Sequence, residues 1–312
     1  MSATTPEVFA TRPETLAPGE QYVSQFADKV ISFPRMLRFE YLKMFSLRST
    51  WWMLGATIFL MAGLSLLFAA IMNFVVNDDQ MMADMGFGAG GAANGFPVGL
   101  TIVIFAYSFA QLTIAVFATL TITNEYSSGM IRSTFAATPR RLRTLWAKVI
   151  MVTVVTVIVS VIGLVSAWLV TLPILNANDM TIDLSDRTTL RSLIGVVLYL
   201  VMIAWFALGI GTLMRGSAGA IATVMGIILV LPMILGIIAM TAPTVTWVGQ
   251  LYRVLPSEAG QQLVMPTGAA VGPGDGMMSV EMLTPWVGFA VLSAYAVAAI
   301  AAAAVVIKRR DA

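Results

Sequence analysis

The 312-residue chain is 58% hydrophobic and only 11% charged, with a formal net charge of +2. That composition excludes an ordinary soluble globule and points to a membrane. Cysteine and histidine are both absent, which removes disulfides, thiol chemistry, Cys/His metal sites and the commonest general base.

Residues 1–32 are polar, carry Pro6, Pro13 and Pro18, and lack the apolar core of a signal peptide. They read as a disordered cytoplasmic tail. Over residues 33–50, Phe33, Met36, Leu37, Tyr41, Met44 and Phe45 recur at helical spacing, while Arg35, Arg38 and Lys43 fall elsewhere. This describes an amphipathic helix in the membrane interface, its basic side chains towards headgroups or water. Glu40 and Leu42 interrupt the two faces, and a plain basic flank before a span is the simpler reading of the same residues.

Residues 51–312 form the membrane domain. Apolar runs long enough to cross a bilayer occur at about 51–76, 98–123, 138–172, 192–213, 218–240 and 285–307, the third starting in the interface with Arg140, Arg141, Arg143 and Lys148. Thr138-Pro139 caps the third with proline in its first turn. The Gly-rich stretch 86–95 after Asp78, Asp79 and Asp84 is a flexible loop; it lacks the strand and the Lys-Ser/Thr of a phosphate cradle. Residues 245–255 are apolar but too short to cross, and Pro243, Pro256, Pro266, Pro273 and Pro285 punctuate the region. A re-entrant or interfacial segment before the last span is expected there. The fold class is thus all-α: six transmembrane helices, an amino-terminal interfacial helix and a re-entrant segment. With the amino terminus inside, 15 Lys/Arg lie on the inner side and only Arg187, Arg191 and Arg253 outside. Both termini are then cytoplasmic, in the plasma membrane.

None of the four lysines, Lys29, Lys43, Lys148 and Lys308, follows a glycine, so the chain has no P-loop of its own. The spans are read as free of buried ionised groups, which argues against a proton-driven carrier. An intramembrane hydrolase lacks its chemistry. Sodium coupling through backbone and hydroxyl oxygens stays open. No metal site, cofactor or nucleic-acid surface is indicated.

Between the second and third apolar runs lies a short polar segment with Glu125, Gly129 and Arg132, ending Ala136-Ala-Thr-Pro-Arg-Arg141. Gly129 permits a tight bend, and Arg132 offers a two-pronged donor to a carboxylate. Glu125, at the membrane exit, has Arg132 or a basic group on a partner as its expected counter-charge. The segment resembles the loop between the second and third spans of ABC type-2 exporter permeases. Leu255-Pro-Ser-Glu-Ala-Gly-Gln-Gln262 resembles that family's segment before the last span. Pro285-Trp-Val-Gly-Phe289, with the ending Lys308-Arg-Arg-Asp-Ala312, resembles the tail of actinobacterial members. The likeness covers about residues 33–312 in layout.

The resemblance implies a permease dimer served by a separate ABC ATPase, which holds the ATP and Mg. It makes Glu125, Gly129, Arg132, Thr138, Pro139, Arg140 and Arg141 the ATPase-coupling contact and its support. It places the substrate path on the second span, where Thr101, Phe105, Ser108, Gln111 and Ala115 share a face by spacing, and on the fifth, with Met225, Leu229 and Met233. Ordinary helix packing accounts equally well for those faces. Arg253 and Glu258 become an outer gate, or interface anchors. The cargo is left as a hydrophobic or amphipathic molecule. A non-transporting membrane anchor or regulatory subunit, and a sodium-coupled carrier, are the alternative functions.

Overall fold

A long apolar run in a bilayer has no water for its N–H and C=O groups, so it closes its hydrogen bonds within itself as a helix. The protein, seen in a computed structural model that describes residues 32–76, 97–130, 141–180, 182–241, 245–266 and 282–309, follows this rule, and those residues contain no strand. From Phe33 onward they belong to one unit, Phe33–Ala312. Among the described residues, six helices are long and apolar enough to cross a membrane.

Helix α1 (Phe33–Ser46) is separated from α2 (Arg48–Val76) by Leu47 alone. The elbow is held by aromatic contacts: the Trp51 indole donates to the Phe45 carbonyl at 3.1 Å, and the Phe45 and Trp51 rings lie 5.4 Å apart. The second apolar run divides into α3 (Val98–Ile104) and α4 (Tyr107–Ser127). The Phe105 ring stacks on Phe68 of α2 at the break between them, with centroids 4.2 Å apart.

Helix α5 (Arg141–Ala177) continues past Pro173, where the sequence had suggested an end near 172. Proline is tolerated there because membrane helices satisfy freed carbonyls locally. Helix α6 (Arg187–Met214) starts five residues before its expected first residue, Ser192, because Asp186 caps it, accepting from the Thr189 amide at 3.0 Å. Arg215 turns the chain with φ +61°.

The fifth run comprises α7 (Ser217–Met225), a π-helical turn at Gly226–Val230 and α8 (Leu231–Thr241). Pro232 explains the widened turn: its ring excludes ordinary α packing, and the Leu231 amide bonds the Gly226 carbonyl five residues back. Two short helices follow, α9 (Thr246–Arg253) and α10 (Pro256–Gln261), and then α11 (Pro285–Arg309).

The core gathers on α6, which packs against α4, α5, α7, α10 and α11. Tyr199, Leu200, Ile203 and Leu208 on α6 are fully buried. Glycine lets α10 sink beside α6 and α11. A Cβ on Gly288 would strike the Ala259 carbonyl oxygen, and one on Gly195 would lie 2.8 Å from the Leu263 oxygen. We expect Gly288→Leu to expel α10 and broaden or abolish the monodisperse peak on size exclusion in detergent, whereas Gly55→Leu, with open space around its Cα, should not.

Candidate functional site

Helix α1 buries a single stripe, Met36, Glu40 and Met44, at i, i+4 and i+8. Such spacing stacks side chains on one helical face, and that face meets α5 and α2. The burial differs from the face expected by hydrophobic count. Tyr41 is exposed, while the one acid of the helix is turned inward.

The reason is Lys148, on the second turn of α5. It is 1% exposed and donates to Glu40 Oε2 at 2.8 Å. The same ammonium pairs with Glu125 Oε1 at the end of α4, and Lys43 of α1 pairs with that oxygen too. Glu40 and Glu125 are 1% and 2% exposed. Two acids and two lysines, drawn from three helices, thus make a neutral quartet inside the protein. The expectation that the spans hold no buried ionised groups fails at this end of the bundle. Lys43, expected to face headgroups or water, turns inward instead.

Neutrality is what makes the arrangement tolerable, since an isolated buried charge is costly unless paired and hydrogen-bonded. The pairing is uneven, however. Glu125 Oε1 accepts from both lysines, while Glu40 Oε1 is buried with no hydrogen-bond partner. A cavity of about 320 Å³ adjoins the quartet, walled by Met44 and Leu47 at the elbow, Met53 of α2, and Phe117, Thr121 and Asn124 of α4.

Of the residues expected to contact an ATPase, Glu125 is therefore committed to Lys43 and Lys148. Gly129 ends α4 with φ +70°, in the left-handed region that favours glycine. Arg141 begins α5. Arg132, Thr138, Pro139 and Arg140 lie outside the described residues. At the same end, the Arg215 guanidinium sits over the Tyr126 ring, 5.6 Å from its centroid.

No family model matches the chain, and no curated protein matches it.

The remaining expected residues fall into two groups. Thr101 donates to the Pro97 carbonyl at 3.1 Å. Leu229 and Met233 point away from this copy of the chain, 44% and 59% exposed, and Met225 packs on the core. Ala115 and Gln111 are buried, and Phe105 is more exposed. Gln111 leads to a second polar cluster. Tyr199 donates to Gln111 Oε1, the Tyr107 and Tyr199 rings meet edge to face at 5.5 Å, and Tyr107 donates to Gln261 Oε1 at 3.1 Å. Ser108 hydrogen-bonds Tyr107. Gln261 in turn donates to Glu258 Oε2, and Tyr252 hydrogen-bonds the same carboxyl. One end of the expected path and the expected gate acid thus belong to one cluster. Tyr107, Tyr199, Tyr252 and Gln261 complete it, and nothing in their sequence spacing marks them as partners.

Burial pushes the Glu258 carboxyl above the ordinary glutamate range, against the opposing hydrogen bonds from Tyr252 and Gln261. A carboxyl with a raised folded-state pKa lends stability that is complete below its unfolded value and lost as pH rises through the folded one. The melting temperature of the purified protein should therefore decline as pH rises above about 4.3. Glu258→Gln should remove that decline, and a wild-type curve flat between pH 4 and 8 would contradict the assignment.

Proposed function

We propose that this chain is the membrane-spanning permease subunit of an ATP-driven exporter, working as a dimer with separate ATPase subunits that bind ATP and Mg. The observation that carries the reading is the charge quartet. It joins both helices flanking the 131–140 segment to α1, so a force applied to that segment reaches three elements at once. The resemblance of the segment to ABC type-2 coupling loops supplies the kind of partner. The sequence contains no P-loop, in keeping with an energy source on another polypeptide.

In this reading the quartet faces the cytoplasm, as do both termini, in keeping with the excess of Lys/Arg on that side. Helix α1 lies in the interface, with Trp51 and Trp52 at headgroup height. Helices α9 and α10 form a re-entrant pair reaching in from the outside. ATP-driven closure of the partner subunits pushes the coupling loops and turns the dimer from inward-open to outward-open. The cargo is hydrophobic or amphipathic.

The test is gentle solubilisation from native membranes and identification of what co-purifies. A stoichiometric P-loop ATPase is expected, and Arg132→Glu should leave insertion intact while separating ATP hydrolysis from transport. A clean permease, under conditions where such complexes survive the detergent, would move the assignment to a membrane anchor. Uptake driven by an imposed sodium gradient in vesicles holding this chain alone would move it to a carrier.

A further inference from the structure

The three carboxylates described on α1, α4 and α10 are treated differently by the fold. Glu40 and Glu125 each have a lysine. Among the described residues Glu258 has only neutral donors, the Tyr252 hydroxyl and the Gln261 amide, and none of them forms an ion pair with it. The Arg191 guanidinium of α6 donates to the Met265 carbonyl at 2.7 Å, and Arg253, next to Tyr252 on α9, has an interaction of its own. The charged groups described on α11, Lys308 and Arg309, are at its other end.

An acid in such surroundings is costly to keep charged, and buried Leu255, Leu263, Val264 and Leu292 make the surroundings apolar. Tyr252 touches the carboxyl directly. Tyr107 and Tyr199, edge to face, extend the aromatic wall through Gln261. Glu258 and Gln261 keep partial solvent access while both tyrosines of the wall are buried. A half-open carboxylate backed by aromatic rings repels an anion and offers a neutral molecule no compensating charge. It attracts a cation through the carboxylate.

We propose that Glu258, with Tyr252 beside it, recognises the ammonium group of a cationic amphiphile, which takes the place of the Gln261 amide at the carboxylate. Naming that amphiphile as cargo rests on the exporter reading; the recognition itself does not. Gln111, in the second turn of α4 and hydrogen-bonded to Tyr199, extends the polar track away from this site.

The experiment measures binding to the purified chain in nanodiscs, without ATP or ATPase, using octylammonium and the uncharged octanol as probes. The ammonium should bind about tenfold more tightly to wild type than to Glu258→Gln, with octanol unaffected by the substitution. Empty nanodiscs set the baseline for lipid partitioning. Glu258→Asp should recover part of the ammonium affinity. In wild type, ammonium affinity should increase as pH rises and Glu258 loses its proton, a measurement that needs no variant. Equal loss of both probes in Glu258→Gln, or ammonium affinity independent of pH, would overturn the proposal. Selective ammonium binding by a chain that co-purifies with no ATPase would keep the site and remove the exporter.

Discussion

Lys148→Met is expected to destabilise the protein by about 3–5 kcal/mol, the usual cost of removing one partner from a buried ion pair. Methionine matches lysine closely in length and volume, so little of the loss is a cavity effect. The ammonium it removes is the one that reaches both acids, Glu40 at 2.8 Å and Glu125 beside it. Glu40, already holding one unpartnered oxygen, would then have two. Lys43 remains as a single cation for two carboxylates. The sign of the effect reverses if the acids go too. Lys148→Met combined with Glu40→Gln and Glu125→Gln should recover most of the stability, because Lys43 has enough exposure to carry its charge towards water. Thermal unfolding in one detergent, read for the single, double and triple variants, decides the matter. A single variant that melts with wild type would mean that the quartet does not hold these helices together.

The six long helices were legible because each is an apolar run with no competing pattern. Their ends were less so. Asp186 carries α6 outward past the last apolar residue, and α5 passes through Pro173, since neither the cap nor the proline changes the hydrophobic count. The quartet was hidden for a related reason. On α1 a tally of apolar residues favours Tyr41 and Phe33, whereas the ionic partner selects Met36, Glu40 and Met44. A charge census held the missing signal. Between residues 33 and 148 the only acids are Glu40 and Glu125, apart from Asp78, Asp79 and Asp84 in the loop after the first span. Lys148, set among Leu145, Trp146, Val149 and Ile150, needs a counter-charge, and those two acids are the ones the topology leaves for it. The cluster around Glu258 was beyond sequence reasoning. Its members come from α4, α6, α9 and α10, and only the glycine-mediated descent of α10 brings them together.

Lys43→Met should separate folding from coupling. Lys43 pairs with Glu125 from the solvent side, with 15% of its side chain exposed, and Lys148 still serves both acids without it. Stability should therefore fall much less than for Lys148→Met. What is lost is the direct tie between α1 and the end of α4, leaving only the Lys148 bridge from α5 to α1. Amide exchange across Phe33–Ser46 should quicken while that of α4 stays slow. If the quartet transmits force from an ATPase, the reconstituted complex should keep hydrolysing ATP while moving about tenfold less cargo per turnover, a loss in the usual range of coupling free energies. Glu125→Gln, which weakens both lysine pairs at once, should show the same uncoupling with a larger stability loss. Quickened exchange with undiminished transport would leave the quartet as a clamp for α1 and return the coupling role to the 131–140 segment alone. Unchanged exchange would mean that α1 is held by Met36 and Met44 against α5, with the Lys43 pair adding nothing.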